Sequence, residues 1–403
     1  MSQSRSIRVV NLRILAAVAF SAVAYFAVGL PLAILPAHVH LRLGQSPVLA
    51  GLMVSLQYLA TFASRPRAGR LCDGAGPRRA VLRGLAFCAA SGLLLALSGW
   101  LQAFLWPSLG LLALSRLALG TGESLTATGA IMWGIGRVGQ EHTVRVISWN
   151  GVATYVALAL GAPCGVLLAS RLGFASVGLA LALLGALGLA GASRLAATVP
   201  PRGKPEPLGR LVRGVAPFGL ALALGGLGFG VIATFITLHF AQRHWPGAAL
   251  SLTVFGLSFV GARLAFARCI DRYGGFAASL ASFAVEAAGL LLLALGGSPG
   301  LAYLACGLIG LGFSLVFPAL ALEAARSFPE SVRGSVLGIY SAFIDASMFL
   351  VGPLAGLVVV HWGYPGVFLA AAGAVLVAMA GTAWLAGWAG ASSADPLGSQ
   401  PPA

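Results

Sequence analysis

The chain has 403 residues, of which 59% are hydrophobic and only 9% are charged. A soluble domain carries about 25% charged residues, so this composition excludes a soluble globular protein and indicates a polytopic membrane protein. The net charge of +15 does not indicate a nucleic-acid partner, because the positive residues lie in short loops between apolar runs and form no basic stripe.

Twelve apolar segments are long enough to cross a bilayer, since a spanning helix needs about 20 residues. The sequence therefore predicts an all-α membrane protein of twelve transmembrane helices in two six-helix bundles. The predicted helices are 13–38, 47–64, 81–102, 107–134, 147–169, 174–193, 214–240, 249–267, 276–297, 300–325, 335–360 and 365–388.

These helices divide the chain into five parts. We expect a cytoplasmic N-terminus at 1–12, bundles at 13–193 and 214–388, a proline-rich cytoplasmic linker at 194–213 and a disordered cytoplasmic tail at 389–403. A weak repeat supports two related halves: at an offset of 198 residues, Arg65, Arg70, Asp73 and Gly76 align with Arg263, Arg268, Asp271 and Gly274.

Positive charge sets the expected orientation. Of the 25 Lys and Arg residues, 21 fall on the side that holds both termini and the arginine-rich loop at 64–79. Because short cytoplasmic loops collect Lys and Arg, we expect this side to face the cytoplasm. The five cysteines form no CxxC pair, and we predict neither a disulfide nor a metal site.

Two motifs in the N-terminal half carry a resemblance to a known family. Residues 69–79 resemble the G-x-L-x-D-x-x-G-x-R-R loop between helices 2 and 3 of the major facilitator superfamily, and 116–122 resemble its helix 4 pattern with a membrane-embedded arginine. Gly161, Pro163 and Gly165 are similar to the helix 5 motif associated with antiporters, although Ala162 separates the first glycine from the proline. The stretches 29–36, 145–151, 228–237 and 312–320 look like bacterial inner-membrane permeases of the arabinose-efflux-like group.

The resemblance implies a gating role for the loop between helices 2 and 3. Its motif residues are Gly69, Arg70, Asp73, Gly76, Arg78 and Arg79. Asp73 would contact the start of helix 11 and Gly69 would let helices 2 and 11 approach, so that the loop closes the cytoplasmic side while the cavity faces outward. The alternative is that the loop only sets topology.

Charged residues inside the predicted spans are the candidates for a transport pathway, because a charge in the bilayer is costly unless it is paired or faces water. Arg116 and Glu123 lie seven residues apart, on nearly one face of helix 4. Glu123 is the preferred proton carrier, and Arg116 would anchor an anionic group or favour the ionised carboxylate. Asp345 in helix 11 is a second proton or substrate candidate. A purely structural role is the alternative for all three.

Other polar residues in the spans receive weaker interpretations. Possible cavity-lining residues are Tyr25, Gln57, Asn150 and Tyr155. We favour a structural role for Glu286 in helix 9, and we expect Glu323 to form a local ion pair with Arg326. Five histidines near the outer face are read as interface residues or sensors of outside pH.

We therefore predict a secondary active transporter that works by alternating access and exports a small organic molecule in exchange for protons. No ATP-binding or hydrolytic motif is found, and we expect neither an enzyme nor a cofactor. The alternatives are a proton symporter or facilitator, an integral-membrane enzyme and a transporter-like receptor without flux. The expected partners are the substrate, the proton and the lipid bilayer, and the expected oligomeric state is a monomer.

Overall fold

The computed structural model describes residues 2–139, 142–198, 208–328 and 333–394. In these parts of the chain all regular structure is helical. The long helices are α1 (Ser2–Leu32), α2 (Pro47–Ala75), α3 (Pro77–Trp100), α4 (Leu105–Val138), α5 (Thr143–Leu172), α6 (Phe174–Ser193), α7 (Leu208–Gln242), α8 (Ala248–Ala265), α9 (Gly275–Leu295) and α10 (Pro299–Arg326), followed by the broken helix Arg333–Ala394.

The last of these is two helices in one continuous run. Gly363 has φ +66°, a left-handed conformation that only glycine adopts without strain, and it breaks the helix there. The two parts are α11 (333–362) and α12 (364–394). This gives the twelve helices that the sequence predicts.

Three shorter helices complete the described chain. After α1 the chain continues through Leu35–Ala37 and a π-helical turn at His38–Arg42, and Ala267–Tyr273 follows α8. Ten helices are long and apolar enough to cross a membrane when α11 and α12 are counted together. α4 is not among them, because Arg116, Glu123 and several Ser, Thr and Gly residues interrupt its apolar sequence.

The structure also locates the ends of the predicted domains. α1 already begins at Ser2, within the segment expected to be a cytoplasmic terminus. The predicted linker contains residues 199–207, which lie outside the described residues, and α7 begins at Leu208. In the predicted tail α12 continues to Ala394, and residues 395–403 lie outside the described part.

Two pairs of long helices make most of the contacts between the halves. α2 packs on α11, and α5 packs on α8. We call the end of the bundle with the α2–α3 loop the arginine-rich end, and the end with the α1–α2 and α7–α8 loops the opposite end.

The α2–α11 contact is tightest toward the opposite end. A Cβ on Gly51 would lie 2.3 Å from the carbonyl oxygen of Gly352, and a Cβ on Gly352 would lie 2.2 Å from Ser55 Oγ. Ser55 donates a hydrogen bond of 3.3 Å to the carbonyl of Met348. Small residues therefore bring the two backbones together, as is typical of helix packing in membranes.

Candidate functional site

α2 carries polar side chains at four-residue intervals: Gln57, Thr61 and Arg65. Residues four apart lie on the same side of a helix, so the three side chains form one row, the α2 row. Gln57 and Thr61 contact α4 of the same half, whereas Arg65 contacts α11 of the other half. The α2 row thus connects the charged residues of both halves.

Gln57 bridges the two predicted pathway residues of α4. Its amide nitrogen donates a hydrogen bond of 2.7 Å to the Glu123 carboxylate, and its amide oxygen accepts one from Nη2 of Arg116. Thr61 donates a longer bond of 3.3 Å to the same oxygen of Glu123. Arg116 and Glu123 are therefore connected by hydrogen bonds to the neutral amide of Gln57 and do not form a direct ion pair.

Both charged side chains of α4 are withdrawn from solvent. Arg116 is 1% exposed and Glu123 is 4% exposed. Nε and Nη1 of Arg116 have no hydrogen-bond partner among the described residues. Both atoms are shielded from solvent in this structure, and a buried charge with unsatisfied donors is costly.

Arg65 and Asp345 form an ion pair between the halves. Nη2 of Arg65 donates to Oδ1 of Asp345 at 2.9 Å, and Nε of Arg65 donates to Oδ2, which makes the contact bidentate. Asp345 is 5% exposed, and Glu123 is within electrostatic reach of both partners. The site therefore combines two cations and two carboxylates, and its formal charge is zero when both acids are ionised.

Arg65 and Thr61 make contacts that the sequence motifs do not predict. Arg65 is one of five closely spaced arginines, which indicates a charged loop, and no motif singles out Thr61. The available signal was the spacing of 57, 61 and 65, which continues the helix of α2 beyond its predicted end at residue 64.

The predicted lining residues divide into two groups. Gln57 contacts both Arg116 and Glu123, and Tyr25 on α1 lies near Glu123. Tyr155 lies at the α5–α8 contact, where its ring stacks on Phe259 of the other half at 3.7 Å between centroids. Asn150 is also on α5, and its buried Oδ1 has no partner within the described chain.

Among the described residues, the side-chain hydrogen bonds of the predicted gating loop all lie within the N-terminal half. Arg70, Asp73 and Arg79 are exposed, and Arg78 donates to the carbonyls of Ala192 and Ser193 at the end of α6. The expected contact of Asp73 with the start of α11 involves residues 329–335, whose side chains lie outside the described residues, so it stays a prediction.

The glycines expected at helix contacts behave differently from one another. Among the described residues, a Cβ on Gly69 would meet nothing within 4 Å. Its expected approach to the start of α11 involves side chains outside the described part and stays a prediction. α2 and α11 also approach each other closely at Gly51 and Gly352. Gly76 has φ +92° and forms the turn between α2 and α3.

The helix 5 motif packs against α1. A Cβ on Gly161 would lie 2.9 Å from Cα of Gly29, and one on Gly165 would lie 1.7 Å from the carbonyl oxygen of Leu30. Pro163, between them, is half-buried. The motif thus fixes the contact between two helices of the N-terminal half.

Glu323 and Glu286 are two further acidic residues within the predicted helices. Glu323 forms the expected ion pair with Arg326 at 3.4 Å, and it also accepts a hydrogen bond of 2.8 Å from the backbone of Gly275. Glu286 is fully buried, and neither carboxylate oxygen has a partner among the described residues.

The same fold occurs in known transporters. A mutant of the nucleoside transporter NupG superposes with a TM-score of 0.75 at 15% identity, covering 92% of this chain and 98% of that chain. The human organic anion transporter MFSD10 superposes with a TM-score of 0.69 at 19% identity, with the same coverage. At these identities the likeness shows the fold alone.

Similarity in sequence is much higher to bacterial relatives. An MFS-type transporter of Burkholderia mallei strain SAVP1 is 53% identical over 382 residues, covering 93% of this chain and 92% of the relative. An MFS-type transporter of Pseudomonas aeruginosa is 49% identical over 373 residues, covering 92% of each. The family description "Major Facilitator Superfamily" matches residues 17–350. The predicted resemblance and fold class are confirmed, and the chain belongs to the major facilitator superfamily of membrane transporters.

Proposed function

We propose that this transporter exports a small organic molecule in exchange for protons, and that Glu123 is the principal proton carrier. The observation that carries the proposal is the environment of Glu123. Its carboxylate is buried at the meeting of α2 and α4 and accepts hydrogen bonds from neutral groups of Gln57 and Thr61. Such a carboxyl can gain or lose a proton without breaking an ion pair.

Protonation of Asp345, the second candidate, would be coupled to movement of the halves through the Arg65–Asp345 pair. With both acids ionised the four charges of the site balance. A proton on Asp345 would remove the charge that holds Arg65, and the contact between α2 and α11 would weaken. Proton binding and separation of the halves are then parts of one equilibrium, as coupled transport requires.

We further propose that the arginine-rich end faces the cytoplasm and that the structure represents a state closed at the outer end. The close approach of Gly51 and Gly352 at the opposite end supports this proposal, as do the exposed charges of the α2–α3 loop. A green fluorescent protein fused to the C-terminus should fluoresce, because it folds in the cytoplasm. A dark fusion at normal expression would place the arginine-rich end outside.

Proton flux in inside-out membrane vesicles tests the function. A pH gradient is established, and a panel of sugars, amphipathic cations and small metabolites is added to vesicles with the wild-type protein, Glu123→Gln or Glu323→Gln. Glu323 is the matched control, because it is an acid at the end of α10 that forms a local ion pair.

Antiport predicts that at least one compound dissipates the gradient in the wild type and the control but not in Glu123→Gln. If labelled compounds cross while no compound moves protons, the protein is a facilitator. Uptake of protons together with the compound would indicate a symporter, and binding without flux would indicate a receptor. We expect the protein to act as a monomer.

A further inference from the structure

The ends of α1 and α7 carry the same short pattern of residues. His38 and Arg42 follow α1, and His239 and Arg243 close α7, with three residues between histidine and arginine in each case. Both histidines are buried, at 6% and 1% exposure. Nε2 of His38 and both ring nitrogens of His239 have no hydrogen-bond partner in the described chain.

In the C-terminal half, aromatic rings occupy the space around this histidine. Trp245, Tyr364 and Phe368 meet the His239 ring edge-on at centroid distances of 5.7, 5.9 and 5.3 Å. The guanidinium of Arg243 lies over the Trp245 ring at 5.5 Å. Arg243 is thus held by an aromatic side chain of its own half.

The N-terminal half has an open recess at the corresponding place. His38 stacks in parallel on Phe174, the first residue of α6, at 3.7 Å. Beside this pair is a recess of about 460 Å³ whose polar wall includes His38, Arg42, Gln102 and Ser170, and whose apolar wall includes Leu41 and Val166.

Two donor side chains line the recess, the guanidinium of Arg42 and the amide of Gln102. The hydroxyl of Ser170 also lines it but donates to the carbonyl of Leu167 at 3.0 Å. Gly173 and Phe174 at the start of α6 complete this wall, and no side chain caps that helix end. A helix N-terminus and an arginine both favour an oxyanion, and phosphate oxygens accept several such hydrogen bonds at once. The buried Nε2 of His38 adds a polar atom that lacks a partner in the described chain.

The location of the recess indicates what the anion is attached to. The neighbouring connection between α3 and α4 exposes Trp100, Phe104 and Trp106, and aromatic residues of this kind are typical of the membrane–water interface. A ligand there would meet headgroups on one side and acyl chains on the other. The combination of polar and apolar walls suits an amphiphile.

We propose that this recess binds a phosphate-bearing anion whose organic part lies on the apolar wall. The anion is carried either by the headgroup of an anionic phospholipid or by a soluble organophosphate. The site is separate from the pathway around Glu123 and does not depend on the proposed export function.

The experiment measures thermal unfolding of the delipidated full-length protein in a neutral detergent. The additives are short-chain phosphatidylglycerol, phosphatidylcholine of equal chain length and glycerol phosphate. The variants are Arg42→Gln and His38→Gln, with Arg243→Gln as the matched control from the other half.

We expect phosphatidylglycerol to raise the Tm of the wild type and of Arg243→Gln at the same concentration. Arg42→Gln should need about tenfold more, which corresponds to the loss of one charge-assisted hydrogen bond. A shift with glycerol phosphate as well identifies a soluble source, and a shift with phosphatidylglycerol alone identifies the lipid. An equal response to phosphatidylcholine, no response to any phosphate, or an unchanged response of Arg42→Gln would overturn the proposal. Arg42 is exposed, so Arg42→Gln should fold and tests the proposal even if His38→Gln does not fold.

Discussion

Arg65 of α2 and Asp345 of α11 lie 280 residues apart in the chain and form a bidentate ion pair that joins the two halves of the transporter. The side chain of Asp345 is 8% exposed and that of Arg65 is 27% exposed. Removing Arg65 therefore leaves a buried carboxylate without its counter-charge, at a cost of up to about 3 kcal/mol. Variants of this pair therefore test how the halves are held together in this state.

Exchange of the two charges tests the pair. We expect Arg65→Asp and Asp345→Arg to lower the Tm individually, and the double variant to recover part of the loss, because it restores opposite charges at the same place. Thermal unfolding of the four proteins gives the coupling energy. Additive losses would mean that the two residues do not interact in the purified protein.

Gln57 is expected to be more important for stability than Thr61. Gln57→Leu removes the hydrogen bonds to both Arg116 and Glu123, and a hydrogen bond to a charged group contributes about 1.5–3 kcal/mol. Thr61→Val removes the longer 3.3 Å bond to Glu123, and we expect a cost of about 1 kcal/mol or less. The check is the Tm of each purified variant. Equal losses would contradict the central position of Gln57.

The glycines at the opposite end should control closure of the halves. Gly51→Ala and Gly352→Ala place a methyl group against backbone or Ser55 at less than van der Waals distance, so the helices must separate. We expect a cysteine at position 55, buried in the wild type, to react faster with maleimide in these variants when the native cysteines are absent. Gly69→Ala is the control, because its methyl group meets nothing within 4 Å among the described residues. Equal labelling in all four proteins would exclude closure at this contact.

Glu286 should be uncharged in the folded protein. It is fully buried beside Gly228 of α7, and its oxygens have no partner in the described chain, whereas an ionised group there would cost several kcal/mol. Glu286→Gln has nearly the same shape, so we expect the stability to change by less than about 1 kcal/mol, whereas Glu286→Lys should prevent folding. The measurement is the Tm at pH 6 and pH 8. A large loss in Glu286→Gln would reveal an ionised carboxylate with a partner beyond the described residues.

The class of protein, the twelve helices and the charged residues within α4 could all be predicted from the sequence. Each of these depends on a local property. A bilayer requires about 20 apolar residues per span, and a charged residue within such a run is conspicuous because its desolvation is costly wherever the helix packs. Arg116 and Glu123 could therefore be identified without knowing their neighbours.

Which of these residues contact one another depends on the tertiary structure. The rotation of α2 brings Gln57 between Arg116 and Glu123, and the packing of α2 on α11 brings Arg65 to Asp345. Periodicity within one helix defines its faces but does not state which helix each face contacts. The sequence for the same reason does not single out Gly51, which lies against the backbone of Gly352 once α2 packs on α11.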